Sequence, residues 1–316
     1  MEIYNVTLFG IHMKINPVAF TIPIGGGWNV YWYGILIALG FFGALLYAYI
    51  NARRYELNFD RLCDVIIVAV PISIISARAY YLLFYQKSFT DFWNIHGGGM
   101  AIYGSVIGAA VTAVIMCKIR KVNLFSALDI AATGFLLGQA VGRWGNFFNQ
   151  EAFGAATGSS VFGMTSENVE AELGVGKLAH PCFLYESIWC LIGFFVLNHF
   201  SKKRKYPGEI ALLYCVWYGF GRAVIESFRT DSLMLGSLRV SQLLSVVICL
   251  AAAAVLIIKS KRSKADGDTD YTPVFENADT NVVALGESEE KADDAETNSD
   301  FGDDSKKSSK TDNDDI

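Results

Sequence analysis

Residues 30–50 read VYWYGILIALGFFGALLYAYI, 21 residues without one charge. A helix needs about 20 predominantly apolar residues to cross the hydrocarbon core of a bilayer, so this stretch predicts a membrane-spanning helix. The same pattern recurs along the chain. Residues 65–84 carry one charge, Arg78, residues 101–117 carry none, and residues 124–141 carry only Asp129. Residues 182–200 hold one acid, Glu186, residues 210–225 hold Arg222, and residues 240–258 hold no charge. These runs are too long and unbroken for barrel strands, which alternate over about 10 residues. The expected fold is all-α: a polytopic membrane protein with seven transmembrane helices over 30–258. An outer-surface flank over 1–29 precedes them, an outer loop interrupts them at about 145–181, and a disordered acidic tail over 259–316 follows.

Charge supports this division. The 316 residues are 53% apolar and 18% charged, with a mean hydropathy of +0.33, whereas a soluble protein carries about 25% charge. Residues 265–316 hold 17 acids and 4 bases, a net of −13; the rest holds 14 acids and 22 bases, a net of +8. The tail has too few apolar groups to offset chain entropy, hence its expected disorder. Basic residues stay cytoplasmic. They cluster at Arg53, Arg54 and Arg61, at Lys118, Arg120 and Lys121, at Lys202 through Lys205, and at Lys259 through Lys264. Every second connection is thus basic. An odd number of spans, with the N-terminus outside and the C-terminus inside, places all four on one side.

The first 29 residues show no basic region and no small-residue cleavage site, so no cleavable signal is expected. The six cysteines lie in or at the ends of spans without C-x-x-C spacing, which reads as apolar packing and not as a zinc site or disulfide framework. No nucleic-acid partner is expected.

Polar groups inside spans are costly and mark function. Here they gather toward the outer half. The fourth span ends in Gln139, Arg143, Asn146, Asn149 and Glu151, and the sixth in Tyr218, Arg222, Glu226 and Arg229. The fifth begins with His180, Tyr185 and Glu186, and the first with Tyr31, Trp32 and Tyr33. Tyr218, Arg222 and Glu226 share one helix face at four-residue spacing. Two arginines with acids and amides at one depth suit a single anionic headgroup, since arginine binds phosphate bidentately. The competing reading is a structural ion pair between Arg222 and Glu226. Gly97, Gly98 and Gly99 break the chain before the third span, and Gly104 and Gly108 follow at a spacing that permits close helix approach.

The segment Gly142-Arg143-Trp144-Gly145-Asn146-Phe147-Phe148-Asn149-Gln150-Glu151-Ala152-Phe153-Gly154 resembles the G-R-x-x-N-F-x-N-x-E-x-x-G signature of prolipoprotein diacylglyceryl transferases. Tyr31-Trp32-Tyr33-Gly34, Ala77-Arg78, Gly98 through Gly104, His180-Pro181 with Leu184-Tyr185-Glu186, and Tyr218 through Asp231 are similar to further family elements in the same order. The resemblance covers about residues 20–258 and leaves out the tail. It implies transfer of the diacylglyceryl group of phosphatidylglycerol to the lipobox cysteine of a prolipoprotein signal peptide, at the outer face of a bacterial cytoplasmic membrane. It implies no metal and no cofactor. It assigns Arg143 and Arg222 to the leaving phosphate, with Gln139, Asn146, Asn149 and Glu151 orienting headgroup and arginines. Tyr33, Tyr218 and Arg229 would bind substrate, Glu226 would orient Arg222, and Gly154 would allow close backbone packing. Tyr103 stands where many relatives carry a histidine. A phenol with a pKa near 10 is a poorer base than imidazole, so Tyr103 joins the catalytic set with its role open between base and lipid positioning.

Three other classes fit less well. An anion transporter predicts paired repeats or broken helices in both halves. A retinal-type receptor predicts a lysine in the last span, and residues 240–258 have none. A structural scaffold does not require clustered polar groups at one depth.

Overall fold

The computed structural model describes residues 3–23, 27–86, 92–93, 99–230, 234–235 and 238–265. Gly97, Gly98, Asp231 and the tail beyond residue 265 lie outside the described residues. The chain opens with two antiparallel hairpins: β1 (Tyr4–Leu8) with β2 (Ile11–Ile15), then β3 (Val18–Ile22) with β4 (Trp28–Tyr31). Strand β4 runs directly into helix α1 (Trp32–Asn51), which is followed by a 3-10 turn over 52–55. Helices α2 (Phe59–Tyr81), α3 (Ile102–Ile119) and α4 (Leu124–Asn149) come next. The connection after α4 carries strand β5 (Met164–Thr165) and the short helix α5 (Glu167–Leu173). Then come α6 (Cys182–Ser201), α7 (Glu209–Ile225), a 3-10 turn over 226–228, the short pair β6 (Met234–Leu235) and β7 (Leu238–Arg239), and α8 (Val240–Ala265).

Among the described residues, six helices are long and apolar enough to cross a membrane: Trp32–Tyr55, Phe59–Phe84, Ile102–Ile119, Leu124–Asn149, Cys182–Ser201 and Val240–Lys259. Their outward faces are apolar too. Leu39, Phe42, Leu46 and Ile50 on α1, and Ile102, Val106, Val111 and Ile115 on α3, are all exposed. A helix apolar on every side belongs in protein or lipid, so this is a multi-pass membrane protein. Helix α7, at 17 residues, covers the expected segment 210–225.

Helix α4 is central. It packs against α1, α6 and α7 and touches α3 briefly, while α2 pairs with α3 and α8 with α7. Asn123 caps its start by accepting from the amides of Phe125 and Ser126 at 3.0 and 3.2 Å. Its end comes at Asn149 and not near Val141, so Arg143, Asn146 and Asn149 ride on helix and the following loop begins at Gln150. Arg143 is paired by Glu186 of α6, and Asn146 and Asn149 bond to Glu151 just past the helix end, so the apolar run stops before the helix does. Gln150 ends the helix in the left-handed region, with φ of 52°. The small residues Gly104 and Gly108 sit where α3 meets α2: a Cβ on Gly108 would stand 2.6 Å from the Cβ of Ser76.

The all-α expectation needs correction at the end of the bundle where α4 finishes. Strands β2, β1 and β5 form a three-stranded antiparallel sheet in that order. The β1–β2 connection is the two-residue turn Phe9-Gly10, with φ of 50° and 82°, the geometry that matches strand twist in a tight hairpin. Strands of five residues or fewer vanish in a search for runs of about 20. The sheet closes a small apolar cluster in which Val6, Ile15, Met164, Val169 and Ala179 meet Phe147 of α4 and Phe183 of α6. The Glu167 side chain holds it from outside, accepting from the Asn5 amide at 3.0 Å and the Asn5 side chain at 2.7 Å.

At the opposite end, Asp129 explains where α7 starts. The residue before α7 is Gly208, which has no side chain to cap with. Asp129 of α4, fully buried, accepts from the amides of Gly208 at 2.7 Å and Ala211 at 2.8 Å, and pairs with Arg204 at 3.0 Å. This contact fixes α7 against α4 at one end and so directs its other end toward the α4 arginine.

Candidate active site

Gln139, Arg143 and Asn146 fall at four- and three-residue spacing on α4, which puts them on one face. Tyr214, Tyr218 and Arg222 do the same on α7, and Glu226 continues that stripe into the 3-10 turn. Glu186 is in the second turn of α6. The three helices meet so that these stripes converge.

Glu186 is the hub. One of its carboxylate oxygens pairs with Arg222 at 2.6 Å and lies 3.5 Å from Arg229, and the other pairs with Arg143. Arg222 also pairs with Glu226 at 2.7 Å, the expected i,i+4 contact. Exposure is graded. The Glu186 and Glu226 side chains are 4% and 1% exposed, while Arg143 and Arg222 keep 23% and 17%. The carboxylates form a buried floor and the guanidiniums lie over it. Ions out of water are costly unless paired and hydrogen-bonded. Three guanidiniums thus converge on the one buried Glu186 carboxylate. The partly exposed edges of Arg143 and Arg222 are where an anionic group could be met.

The remaining predicted residues take these places. Arg143 donates to the Asn146 side-chain oxygen at 3.4 Å, and the Asn146 amide donates to Glu151 at 2.9 Å. Asn149 reaches the same Glu151 oxygen at 3.4 Å. Glu151 itself is exposed. Tyr33 enters from α1 and fills the space that a side chain at Gly145 would need. Gln139 donates to the Tyr214 hydroxyl at 3.1 Å, and the rings of Tyr214 and Tyr218 stack at 5.5 Å. The backbone of Gly154 bridges to Arg229 and donates to the His180 carbonyl at 2.9 Å. A Cβ there would come within 2.7 Å of the Phe228 carbonyl oxygen, so the close approach requires glycine.

Tyr103 stands apart. It is on the first turn of α3, 47% exposed, and its ring lies 6.4 Å from that of Tyr80. Among the described residues no hydrogen bond or ion pair joins it to the arginines. His180 is 3.1 Å from the Tyr185 hydroxyl through Nδ1.

Glu186 is the residue that the sequence-based set leaves out. Its signal was present: it is the one acid in 182–200, opposite three arginines at the same depth. What a single span could not reveal is that all three turn toward it. Two neighbours reinforce the α4–α6 contact. Trp144 donates to the Ser187 hydroxyl at 3.2 Å, and that hydroxyl donates to the Ala140 carbonyl at 2.7 Å.

Comparison with known proteins identifies relatives of this chain. A family model described as prolipoprotein diacylglyceryl transferase matches residues 17–258. The phosphatidylglycerol–prolipoprotein diacylglyceryl transferase 1 of Clostridium perfringens is similar, with 42% identity over 257 residues, 79% of this chain and 97% of the relative. The enzyme of Clostridium novyi is 42% identical over 78% of this chain and 96% of its own length. That of Pediococcus pentosaceus is 39% identical over 78% and 91%. The matched span holds every helix from α1 through α7 and all the residues that converge on Glu186, and this chain belongs to the prolipoprotein diacylglyceryl transferase family.

Proposed function

We propose that this protein transfers the diacylglyceryl group of phosphatidylglycerol to the lipobox cysteine of prolipoprotein signal peptides, the first step of bacterial lipoprotein maturation. The relatives' names carry both substrates. The observation that carries the reading within this chain is the convergence of three guanidiniums on Glu186, with Arg143 and Arg222 partly exposed. The cysteine sulfur attacks the glycerol carbon that bears the phosphate. A carbon–sulfur bond forms as the carbon–oxygen bond breaks, and glycerol phosphate leaves with that electron pair. Charge builds on the leaving phosphate, and preorganised donors there are worth about 10²–10³ in rate each. Arg143 and Arg222 take this role, and Arg229 joins them in binding the headgroup.

Asn146 and Asn149 hold Arg143 and Glu151 in line, and Glu226 orients Arg222. Glu151, the exposed carboxylate of the network, receives the thiol proton. Tyr33, Gln139 and Tyr218 line the headgroup site, and Gly154 lets the 226–229 segment approach. Tyr103, half exposed on the first turn of α3 and without a hydrogen bond to the arginines among the described residues, positions lipid on the α3 side.

Seven helices cross the bacterial cytoplasmic membrane in this reading, with the N-terminus outside, the C-terminus inside and the active site at the outer face. Residues 30–258 form the catalytic membrane domain, with 1–29 as an outer flank and 259–316 as a cytoplasmic appendage. Helix α7 counts as a span because its polar stripe faces α4 and α6. The basic clusters at 53–61, 118–121 and 202–205 lie at the helix ends opposite the site, as cytoplasmic connections should. External thiol labelling should reach an engineered cysteine in 155–178 and miss one at Lys203.

The test of the activity is chemical. Purified protein in phosphatidylglycerol vesicles with a lipobox peptide should yield a diacylglyceryl peptide and glycerol phosphate in equal amounts. A peptide that stays unmodified would overturn the assignment.

A further inference from the structure

Helices α6 and α7 carry the same short pattern, a tryptophan followed four residues later by glycine: Trp189 with Gly193, and Trp217 with Gly221. The two patterns engage each other. Trp189 donates through Nε1 to the carbonyl oxygen of Trp217, and Trp217 donates through Nε1 to the carbonyl oxygen of Trp189, each at 3.1 Å. The indole rings stack with centroids 4.4 Å apart and planes 16° from parallel. In an α-helix the carbonyl of residue i already accepts from the amide of residue i+4, so each of these carbonyls takes a second donor. The glycines make that possible. A Cβ on Gly193 would lie 2.6 Å from Trp217 Cδ1, and one on Gly221 would lie 2.7 Å from Trp189 Cε2.

This contact fixes register. One residue of slip shifts a helix by about 1.5 Å and turns its side chains by about 100°, which breaks both bonds and drives each indole out of its notch. The register matters because Glu186 is one turn before Trp189, and Arg222 is next to Gly221. Their 2.6 Å contact does not survive such a slip. An anchoring role at the bilayer interface would leave the indole N–H groups for headgroups and water; here both are used on backbone carbonyls.

We propose that the Trp189–Trp217 clasp is a positioning device for the transfer reaction, setting the alignment in which Glu186 presents Arg222 to the leaving phosphate. This rests on the transferase reading above. Trp189→Phe and Trp217→Phe each retain an aromatic ring and remove one donor. The assay uses the full-length protein in phosphatidylglycerol vesicles with a lipobox peptide, and measures kcat and KM together with the far-ultraviolet circular dichroism couplet of the stacked indoles. A misplacement of about 1 Å costs on the order of a hundredfold in rate, so each variant should lose about ten- to a hundredfold in kcat with KM nearly unchanged. Both should lose the couplet, and the double variant should be little worse than either single one, because one register is at stake. A parental kcat in either inserted variant would overturn the proposal. So would failure of both to insert, which would make the clasp a folding element. An inactive parent would instead overturn the transferase reading, and the inference with it.

Discussion

Replacing Glu186 by glutamine removes one charge from the place where three guanidiniums meet and keeps the side chain's shape. Glu186 is 4% exposed and its two closest partners, Arg143 and Arg222, are 23% and 17% exposed. Breaking a buried ion pair by removing one partner costs about 3–5 kcal/mol. The partly exposed arginines place this case near the lower end. That cost falls on stability; in rate, guanidiniums displaced by about 1 Å lose on the order of a hundredfold. The loss should fall on kcat. With Glu186 neutral the group becomes more positive by one charge, so attraction for an anionic headgroup is not weakened and KM should hold or fall. The readout is diacylglyceryl peptide formed per minute against phosphatidylglycerol concentration, with thermal denaturation run in parallel. Near-parental turnover in Glu186→Gln would show that the arginines keep their places without the hub. A raised KM at unchanged kcat would show that Glu186 contacts substrate and does not organise the cations.

Three further outcomes follow from particular contacts. Asp129→Ala should lower thermal stability by about 3–5 kcal/mol, because it uncaps α7 and strands the buried Arg204; an unchanged melting curve would show that α7 is held elsewhere. Tyr103→Phe should reduce transfer only modestly, and Tyr103→His should be tolerated, whereas a loss of about 10²–10⁴ would mark the phenol as the base. Slight burial pushes the Glu167 carboxyl up, but the hydrogen bonds from Asn5 outweigh it and hold it below the usual carboxylate range. Its contribution is therefore complete above the unfolded value of about 4.3 and is lost as pH falls through the lower folded value. Hydrogen exchange at the Asn5 amide should rise in acid beyond its intrinsic trend, and Glu167→Gln should flatten that response.

The apolar helices were legible because a bilayer demands runs that few other environments produce. The fourth was legible only to Val141. Its last two turns carry Arg143, Asn146 and Asn149, which interrupt the apolar run, so hydropathy alone does not extend the helix through them. The arginines and the Arg222–Glu226 pair were visible from spacing alone, since i,i+4 neighbours meet on any helix. Glu186 as a hub was not, because its role depends on three helices meeting. The three-stranded sheet escaped for another reason. Its third strand, β5, lies more than 140 residues from the hairpin it completes, and only Phe9-Gly10 marks the turn. That Tyr103 packs by Tyr80 of α2 depends on how α2 and α3 pair, which no local pattern encodes.

The most direct test compares the parent with Arg143→Ala and Arg222→Ala for glycerol phosphate release from phosphatidylglycerol in the presence of a lipobox peptide. The account predicts that the parent releases glycerol phosphate in step with peptide modification, and that each variant, inserted and folded, falls by about 10²–10³. Release that is undiminished in either variant would contradict the claim that these guanidiniums stabilise the departing phosphate.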